Sequence, residues 1–372
     1  MTSLSMPRAE TSIMSAQCRG ASFPSDVTRV PPDHFGAAKA VLAMPAGDWP
    51  ERLAAVLARH YGWTGTINPV SSEAEQTALL ERSGTAPLIL KISSRPEGAE
   101  SFRFQSAMLA GLEGSDGFDV PRLIRTDRGQ PGFEEDGLTG YVQTAVEGVQ
   151  LSRAAIGPTQ LHQAGRALGA LDAALAGLVL PGQDRPVLWN IGCWPGLLDF
   201  LPYVADASTA DLVRDAMQRY VESALPLLPE LPWQVTHNDP SPHNMFVDGD
   251  RIAFIDFGDG GWAPRLQDLA VAASHFVLDP ASALGGAEAL IAGYAAIVPL
   301  SPLDARMLVP LIRARQAALI LVNAWRAALF PAEADYINKN VGRAKNGLSI
   351  LARLGASDAA TAVLAAAATP KE

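Results

Sequence analysis

Three alternating apolar stretches, at residues 65–70, 76–80 and 87–92, precede a segment, 99–112, whose apolar residues Phe102, Met108, Leu109 and Leu112 recur at helical spacing. Alternation with period two marks half-buried strands, and a period near 3.6 marks a helix packed by one face. Residues 120–126 and 140–145 read as two further strands, the second buried. Ahead of all of these, Asp48-Trp49-Pro50 followed by Leu53, Val56, Leu57 and Tyr61 predicts an N-capped amphipathic helix. After Gln160 the pattern turns almost wholly helical, and the switch falls at residues 144–148. The exception is a hairpin in which Met245-Phe246-Val247 and residues 252–255 flank Asp248-Gly249-Asp250, a strong two-strand turn signal. The expected fold is α+β in two lobes. Residues 37–146 form a small β-sheet lobe with one helix packed on it, and residues 147–372 form a larger, mainly helical lobe carrying the hairpin. Residues 1–36 have scattered Ser, Pro and charge without the apolar core of a secretory signal, and are expected to be a disordered leader. The Ala-rich end after Ser357 predicts a short closing helix.

The hairpin joins two acidic motifs. In the first, His237-Asn238-Asp239 is followed by Asn244, and Pro240 and Pro242 exclude regular helix by fixing φ and removing backbone donors. In the second, an alternating strand runs into Asp256-Phe257-Gly258-Asp259, where Gly258 is expected to allow a sharp reversal. Pairing of the two strands brings Asn244 close to Asp256. Phosphoryl transfer asks a protein mainly to place the nucleophile in line and to hold Mg²⁺ across the phosphates. Magnesium is satisfied by one or two hard protein oxygens and keeps waters, which suits Asn244 and Asp256. Asp239 is then left to orient a substrate hydroxyl and accept its proton. Singly, such residues more often cap turns through local hydrogen bonds. Their joint spacing around one hairpin favours chemistry.

Composition limits the partners. The net charge is −10 over 372 residues with no Lys/Arg run, which argues against nucleic acid or an anionic membrane. Cys18 and Cys193 are the only cysteines and lack metal-ligand spacing, so neither a disulfide framework nor a zinc site is indicated and a reducing cytoplasm is expected. No apolar run reaches the roughly 18 residues of a membrane span.

With these residues in place, the chain resembles the aminoglycoside phosphotransferase and choline kinase superfamily, whose fold is similar to that of protein kinases. The usual brace of that family is HGDxHxxN, followed by a strand and then IDFGD. Here it reads His237-Asn238-Asp239-Pro240-Ser241-Pro242-His243-Asn244, then Ile255-Asp256-Phe257-Gly258-Asp259, so Asn238 stands for the common Gly and Ser241 for the second His. The resemblance implies ATP as donor, with GTP as the alternative, together with Mg²⁺ and a loop braced by His237. It makes residues 37–146 a nucleotide-binding lobe and places on the third strand a lysine that holds the α- and β-phosphates. That position is Lys91, the only lysine between Lys39 and Lys339. The helix position that usually carries its glutamate partner holds Gln105, with Glu100 as the alternative in another register. The nucleotide loop, residues 68–75, has no glycine, and its Ser71 and Ser72 offer hydroxyl and N–H groups. The expected hinge is Gln143-Thr144-Ala145-Val146, with Gln143 and Ala145 beside the adenine.

Lys91-Ile92-Ser93, residues 168–172, Ile255-Asp256-Phe257-Gly258-Asp259 and Asn323-Ala324-Trp325-Arg326 look most like the hydroxylysine kinase branch. A small amino alcohol or hydroxylated amino acid is therefore the expected acceptor; an aminoglycoside, homoserine, choline or a sugar are the alternatives, as is a catalytically silent nucleotide-binding protein. Trp189, Trp194, Trp262 and Trp325 are candidate pocket walls, with Asn190 and Asp259 as further substrate contacts and Arg326 as partner to a substrate carboxylate. Arg265 and Asp268 are expected to pair beneath the metal loop.

Overall fold

The computed structural model describes residues 34–44, 48–70 and 75–368. In the first lobe lie β1 (Thr66–Val70), β2 (Gln76–Glu81), β3 (Leu88–Ser93), β4 (Leu123–Ile124), β5 (Phe133–Glu135) and β6 (Leu138–Thr144). They form one antiparallel sheet of order β1-β2-β3-β6-β4, with β5 also on β6. Alternation along β3 sorts its side chains. Leu90 and Ile92 join Leu80 and Val142 beneath Leu53, Val56 and Leu57 of α2 (Leu53–Tyr61), each contributing about 1.5–3 kcal/mol by burial. Lys91 faces the other way, toward Gln105 on α3 (Pro96–Gly111).

Four local expectations change. Helix α2 begins at Leu53 after Arg52, with no side-chain cap, so Asp48 is not its N-cap. The strand expected over 120–126 shrinks to Leu123–Ile124, because Pro121 has no N–H to give a ladder and Arg122 N donates instead to Thr144 Oγ1 (2.9 Å). Strand β5, not expected, pairs Glu135 with Leu138 across Asp136-Gly137, both at positive φ (51° and 76°). Asp-Gly is the dipeptide that tight hairpins favour, so this strand was readable. Finally, α1 (His34–Leu42) begins inside the span expected to be leader, and it does not pack with the sheet. Its Phe35 lies against Phe200 (6.0 Å) and Ala38 joins the core of the helical lobe.

That second lobe holds α4 (Pro158–Leu175), α5 (Ala207–Arg219), α6 (Leu266–Ser274), α7 (Glu288–Ala295), α8 (Pro302–Leu329), α9 (Val341–Leu351) and α10 (Ala356–Ala367). Helices α4 and α7 cross at two glycines: a Cβ on Gly165 would lie 2.0 Å from Leu290 O, and one on Gly293 2.0 Å from His162 O. Helix α8 starts with a reciprocal capping box, Ser301 Oγ accepting from Asp304 N and Asp304 Oδ2 from Ser301 N. It carries an 18-residue window with a mean hydropathy of 1.3, 78% of it buried inside the lobe, as befits a central core helix.

Helix α5 is capped by Asp206, whose carboxylate accepts from Thr209 N (3.0 Å) and pairs with Lys345 of α9 (2.7 Å). The Lys345 bond first, and then the Thr209 and Ser208 hydroxyls, hold this carboxyl well below the ordinary range. A depressed folded-state pKa favours the ionised form, so its stabilisation is fully present above the unfolded value near 4 and fades as pH falls through the folded value. Asp206→Ala should therefore lower the urea midpoint at pH 7, and the gap to wild type should be smaller at about pH 2, below the unfolded value. Unfolding curves of both proteins at the two pH values test this.

The second lobe also holds two small sheets that the helical pattern hides. Strands β7 (Val149–Gln150), β9 (Met245–Asp248) and β10 (Arg251–Phe254) form one, and β8 (Trp233–Thr236) pairs with β11 (Gly261–Pro264) in the other. The expected hairpin is β9–β10, closing from Asp248 to Arg251 with Gly249 at φ 58°. The pair β8–β11 sets Thr236 opposite Gly261, so one ladder ends just before the first acidic motif and begins just after the second.

Candidate active site

Both motifs turn through the left-handed region, at Asn238 and Asp256 (φ 63° each). A non-glycine residue there is uncommon, and Asn and Asp tolerate it best. This gives a reason for Asn at 238: it makes the turn and adds bonds, accepting from Thr236 Oγ1 (2.8 Å) and donating to Asp259 O (2.9 Å). The second reversal lies at Asp256 itself, where Gly258 had been expected to supply it. Gly258 instead leaves room: a Cβ there would be 3.3 Å from Asp256 Oδ1.

The first loop is held from below by Asp268, which accepts from His237 N and Asn238 N (2.7 Å each). Its carboxylate is thus bonded to the backbone amides of the loop and not to the Arg265 guanidinium, while Asp268 N donates to Arg265 O (3.2 Å). His237 Nε2 bonds Ile255 O (3.0 Å) while its Nδ1 accepts from Asp239 N (3.3 Å), which fixes the proton on Nε2 and ties the first motif to the second. Asn244 O accepts from Ile255 N (2.9 Å), setting Asn244 beside the root of Asp256.

Asp239 is gripped at both oxygens. Asn244 Nδ2 donates to Oδ2 (2.8 Å), and Arg315 Nη2 donates to Oδ1 (3.2 Å). With its NH₂ spent on Asp239, Asn244 keeps its amide oxygen for another ligand. Asp256 gives Oδ1 to Lys91 Nζ (2.5 Å) and its side chain is half exposed toward the cleft. Burial alone would raise the Asp256 carboxyl, but the Lys91 ammonium holds it below its usual value. Asp259 goes the other way, pushed up to about 8 by burial and then by the charges of Asp239 and Asp256. Crowded carboxylates of this kind are relieved by a cation. Among the described residues no three His, Cys, Asp or Glu cluster at metal-ligand spacing. The donor set of Asn244 and Asp256 nevertheless fits a hard ion that takes its remaining oxygens from water and phosphates.

Lys91 is buried and its nitrogen has three partners: Asp256, Gln105 Oε1 (3.2 Å) and Glu75 Oε2 (3.2 Å). Glu75, just before β2, therefore carries the charge that the helix position lacks, while Gln105 Nε2 (2.7 Å) and Ser101 Oγ (3.1 Å) both bond its other oxygen. Tyr141 OH donates to Gln105 Oε1 (2.9 Å) from directly across the ladder. Burial opposes the ammonium, yet Asp256 and Glu75 together carry its pKa well above the ordinary lysine value. Glu100 is not among these partners. Removing the Glu75 charge should weaken MgATP binding about tenfold, the loss of roughly 1.4 kcal/mol from one charge-assisted contact. Glu75→Gln combined with Gln105→Glu should recover most of it. Calorimetric MgATP titration of the single and double variants checks this, and equal affinity in Glu75→Gln would remove Glu75 from the network.

Glu75 and the motif side chains Asp239, Asn244 and Asp256 line one cleft of about 1070 Å³ between sheet and helices. Gln143 and Ala145 line it with Lys91, Asp239, Asn244, Asp256 and Asp259. Ser71 and Ser72 lie outside the described residues. Of the tryptophans only Trp189 reaches the cleft, beneath the Arg315 guanidinium (4.5 Å). Trp325 is buried in a stack on Phe200 (4.4 Å, 5°), Trp194 is buried against Tyr220 (5.7 Å), and Trp262 is off the wall. Asn190 is also off it: its Oδ1 accepts from Gly192 N (2.9 Å) and its Nδ2 donates to Trp262 O (3.1 Å). Arg326 is buried over Phe330 (5.8 Å) and does not line the cleft. Arg315 does, eleven residues earlier on α8 and so on the same helical face. Sequence reading also missed Arg185, a buried arginine over Phe104 (4.1 Å) whose Nη2 donates to Gly258 O.

The phosphotransferase enzyme family matches residues 66–300, and the chain belongs to that family. Among curated relatives, hydroxylysine kinase of Mus musculus is 21% identical over 208 residues, covering 52% of this chain and 55% of that protein. The chain thus matches about half the length of that relative. Homoserine kinase of Brucella melitensis is 25% identical over 294 residues, covering 76% of this chain and 86% of that one. Among solved structures, the amicoumacin kinase hAmiN, in complex with AMP-PNP, Ca²⁺ and Ami, superposes with a TM-score of 0.60 at 13% identity, covering 79% of this chain and 93% of that one. The expected two-lobed α+β architecture is the one observed.

Proposed function

We propose that the protein transfers the γ-phosphate of ATP to the hydroxyl of a small hydroxylated amino acid or amino alcohol. One observation carries this: Asp239, with both oxygens held, shares a cleft with Asn244, Asp256 and Lys91 on a hairpin and a sheet braced against each other. In this reading Asp239 aligns the acceptor hydroxyl and takes its proton as the acceptor oxygen bonds to the γ-phosphorus and the bond from that phosphorus to the ADP oxygen breaks. Lys91, kept charged by Glu75 and Asp256, steadies the α- and β-phosphates as a point charge. His237 keeps the two motifs in register, and Gln143 and Ala145 border the adenine. Mg²⁺, when bound at Asn244 and Asp256, would neutralise charge developing between the β- and γ-phosphates. The kinases named among the relatives support the chemistry, and two of their named acceptors are hydroxylated amino acids. ADP release with MgATP across 5-hydroxylysine, homoserine, ethanolamine, choline and an aminoglycoside tests the reading. A small acceptor should respond; a response to the aminoglycoside alone would refute the acceptor class.

A further inference from the structure

We propose that the corner of the cleft beyond Asp239 is a subsite for a carboxylate, and that the acceptor is a short hydroxy acid carrying its anionic group close to the reacting hydroxyl. The proposal rests on the phosphotransfer reading above and names the acceptor within it. The wall on this side comes wholly from the helical lobe: His275 after α6, Arg315 and Asn323 on α8, and Tyr336, Lys339 and Asn340 before α9. Of the cleft-lining residues that follow Asp259, none is acidic, while Arg315 and Lys339 are cations.

Arg315 lies at the centre of this wall. Its side chain is 5% exposed and its plane lies on Trp189, yet only Nη2 is spent, on Asp239; Nε and Nη1 are buried without a hydrogen-bond partner. Donors shielded from water and left unpaired are costly unless a ligand takes them. Arg343, in the first turn of α9, is partly buried and makes no ion pair among the described residues. The neighbouring histidine registers the resulting field. His275, buried with Nε2 unpartnered, is held well below its ordinary value by burial and then by Arg343 and Arg315. An ammonium group entering beside Arg315 and Lys339 meets like charge, whereas a carboxylate meets guanidinium N–H donors that no other group among the described residues holds.

The geometry also limits length. One guanidinium holds the base through Nη2 and offers its neighbouring nitrogens to the ligand. The acceptor must therefore bring its hydroxyl to Asp239 and its carboxylate to Arg315 within the span of that single group. A hydroxyl only a few bonds from the carboxylate satisfies this. The hydroxyl of 5-hydroxylysine is far from its carboxylate and adjacent to an ammonium, so it does not.

The test uses L-homoserine, its decarboxylated counterpart 3-amino-1-propanol, its deaminated counterpart 4-hydroxybutyrate, and 5-hydroxylysine. Each is assayed for ADP release and for calorimetric binding to protein loaded with MgAMP-PNP. Homoserine and 4-hydroxybutyrate should bind, and should exceed 3-amino-1-propanol in kcat/KM by about a hundredfold, the order expected when a buried charged partner is left empty. Arg343→Gln should raise the KM of the hydroxy acids by about tenfold while leaving the weak use of 3-amino-1-propanol little changed, which mere loss of fold would not do; Arg315→Lys, which also loosens Asp239, should lower kcat for every acceptor and raise KM for the hydroxy acids alone. Equal or better use of 3-amino-1-propanol or 5-hydroxylysine, or no binding of either hydroxy acid, overturns the subsite. Binding of the hydroxy acids without ADP release supports the subsite and refutes phosphotransfer; ADP release with amino alcohols alone refutes the subsite and leaves phosphotransfer standing.

Discussion

Asp239→Asn is expected to lower kcat by roughly 10²–10⁴ while leaving MgATP affinity close to wild type. The amide is nearly isosteric, so the loop held by Asp268 and His237 should keep its shape. What is lost is the proton acceptor, together with the charge that Arg315 and Asn244 now orient. Steady-state kinetics with a separate nucleotide titration distinguishes the two effects. Near-normal turnover would remove Asp239 from the base role. A fall in MgATP affinity as large as the fall in kcat would mean that it serves the nucleotide instead.

Asp256→Ala should have the larger consequence for binding, abolishing Mg²⁺-dependent nucleotide affinity. Two losses combine there. The proposed metal position loses its only carboxylate, and Lys91 loses a partner at 2.5 Å while remaining buried. Because Asp256 is half exposed and Lys91 keeps Glu75 and Gln105, the loss should be well below the roughly 3–5 kcal/mol of a fully buried pair, and a small drop in melting temperature should accompany the binding defect. Calorimetry of ATP with and without Mg²⁺ checks the first effect. If the variant binds MgATP as wild type does, Asp256 is not a metal ligand.

The hairpin residues were legible because their proximity is local. Asp239, Asn244 and Asp256 lie within eighteen residues, and strand pairing alone brings the last two together. Lys91 was legible by strand order and by its isolation among arginines. Glu75 and Arg315 were not, because what they touch is set by how separate elements approach. Glu75 reaches Lys91 from the turn before β2 and occupies the charge position that Gln105 leaves neutral. Arg315 lies three turns before Arg326 on one face of α8, and which turn of a long helix meets the cleft is set by packing and not by its own sequence. The tryptophans failed for a related reason: aromatic rings supply core as readily as pocket, and Trp194 and Trp325 are spent on Tyr220 and Phe200. Strands β8 and β11 were missed because four-residue segments give too little alternation to stand out among helices.

The most direct test of the central claim is phosphorus NMR of the wild-type and Asp239→Asn proteins with MgATP and L-homoserine or 4-hydroxybutyrate. A phosphomonoester resonance growing in step with ADP in the wild type, and absent or strongly slowed in the variant, is the result expected of a phosphotransferase that uses Asp239. ADP accompanied only by inorganic phosphate, or ester formed equally fast by the variant, would contradict it.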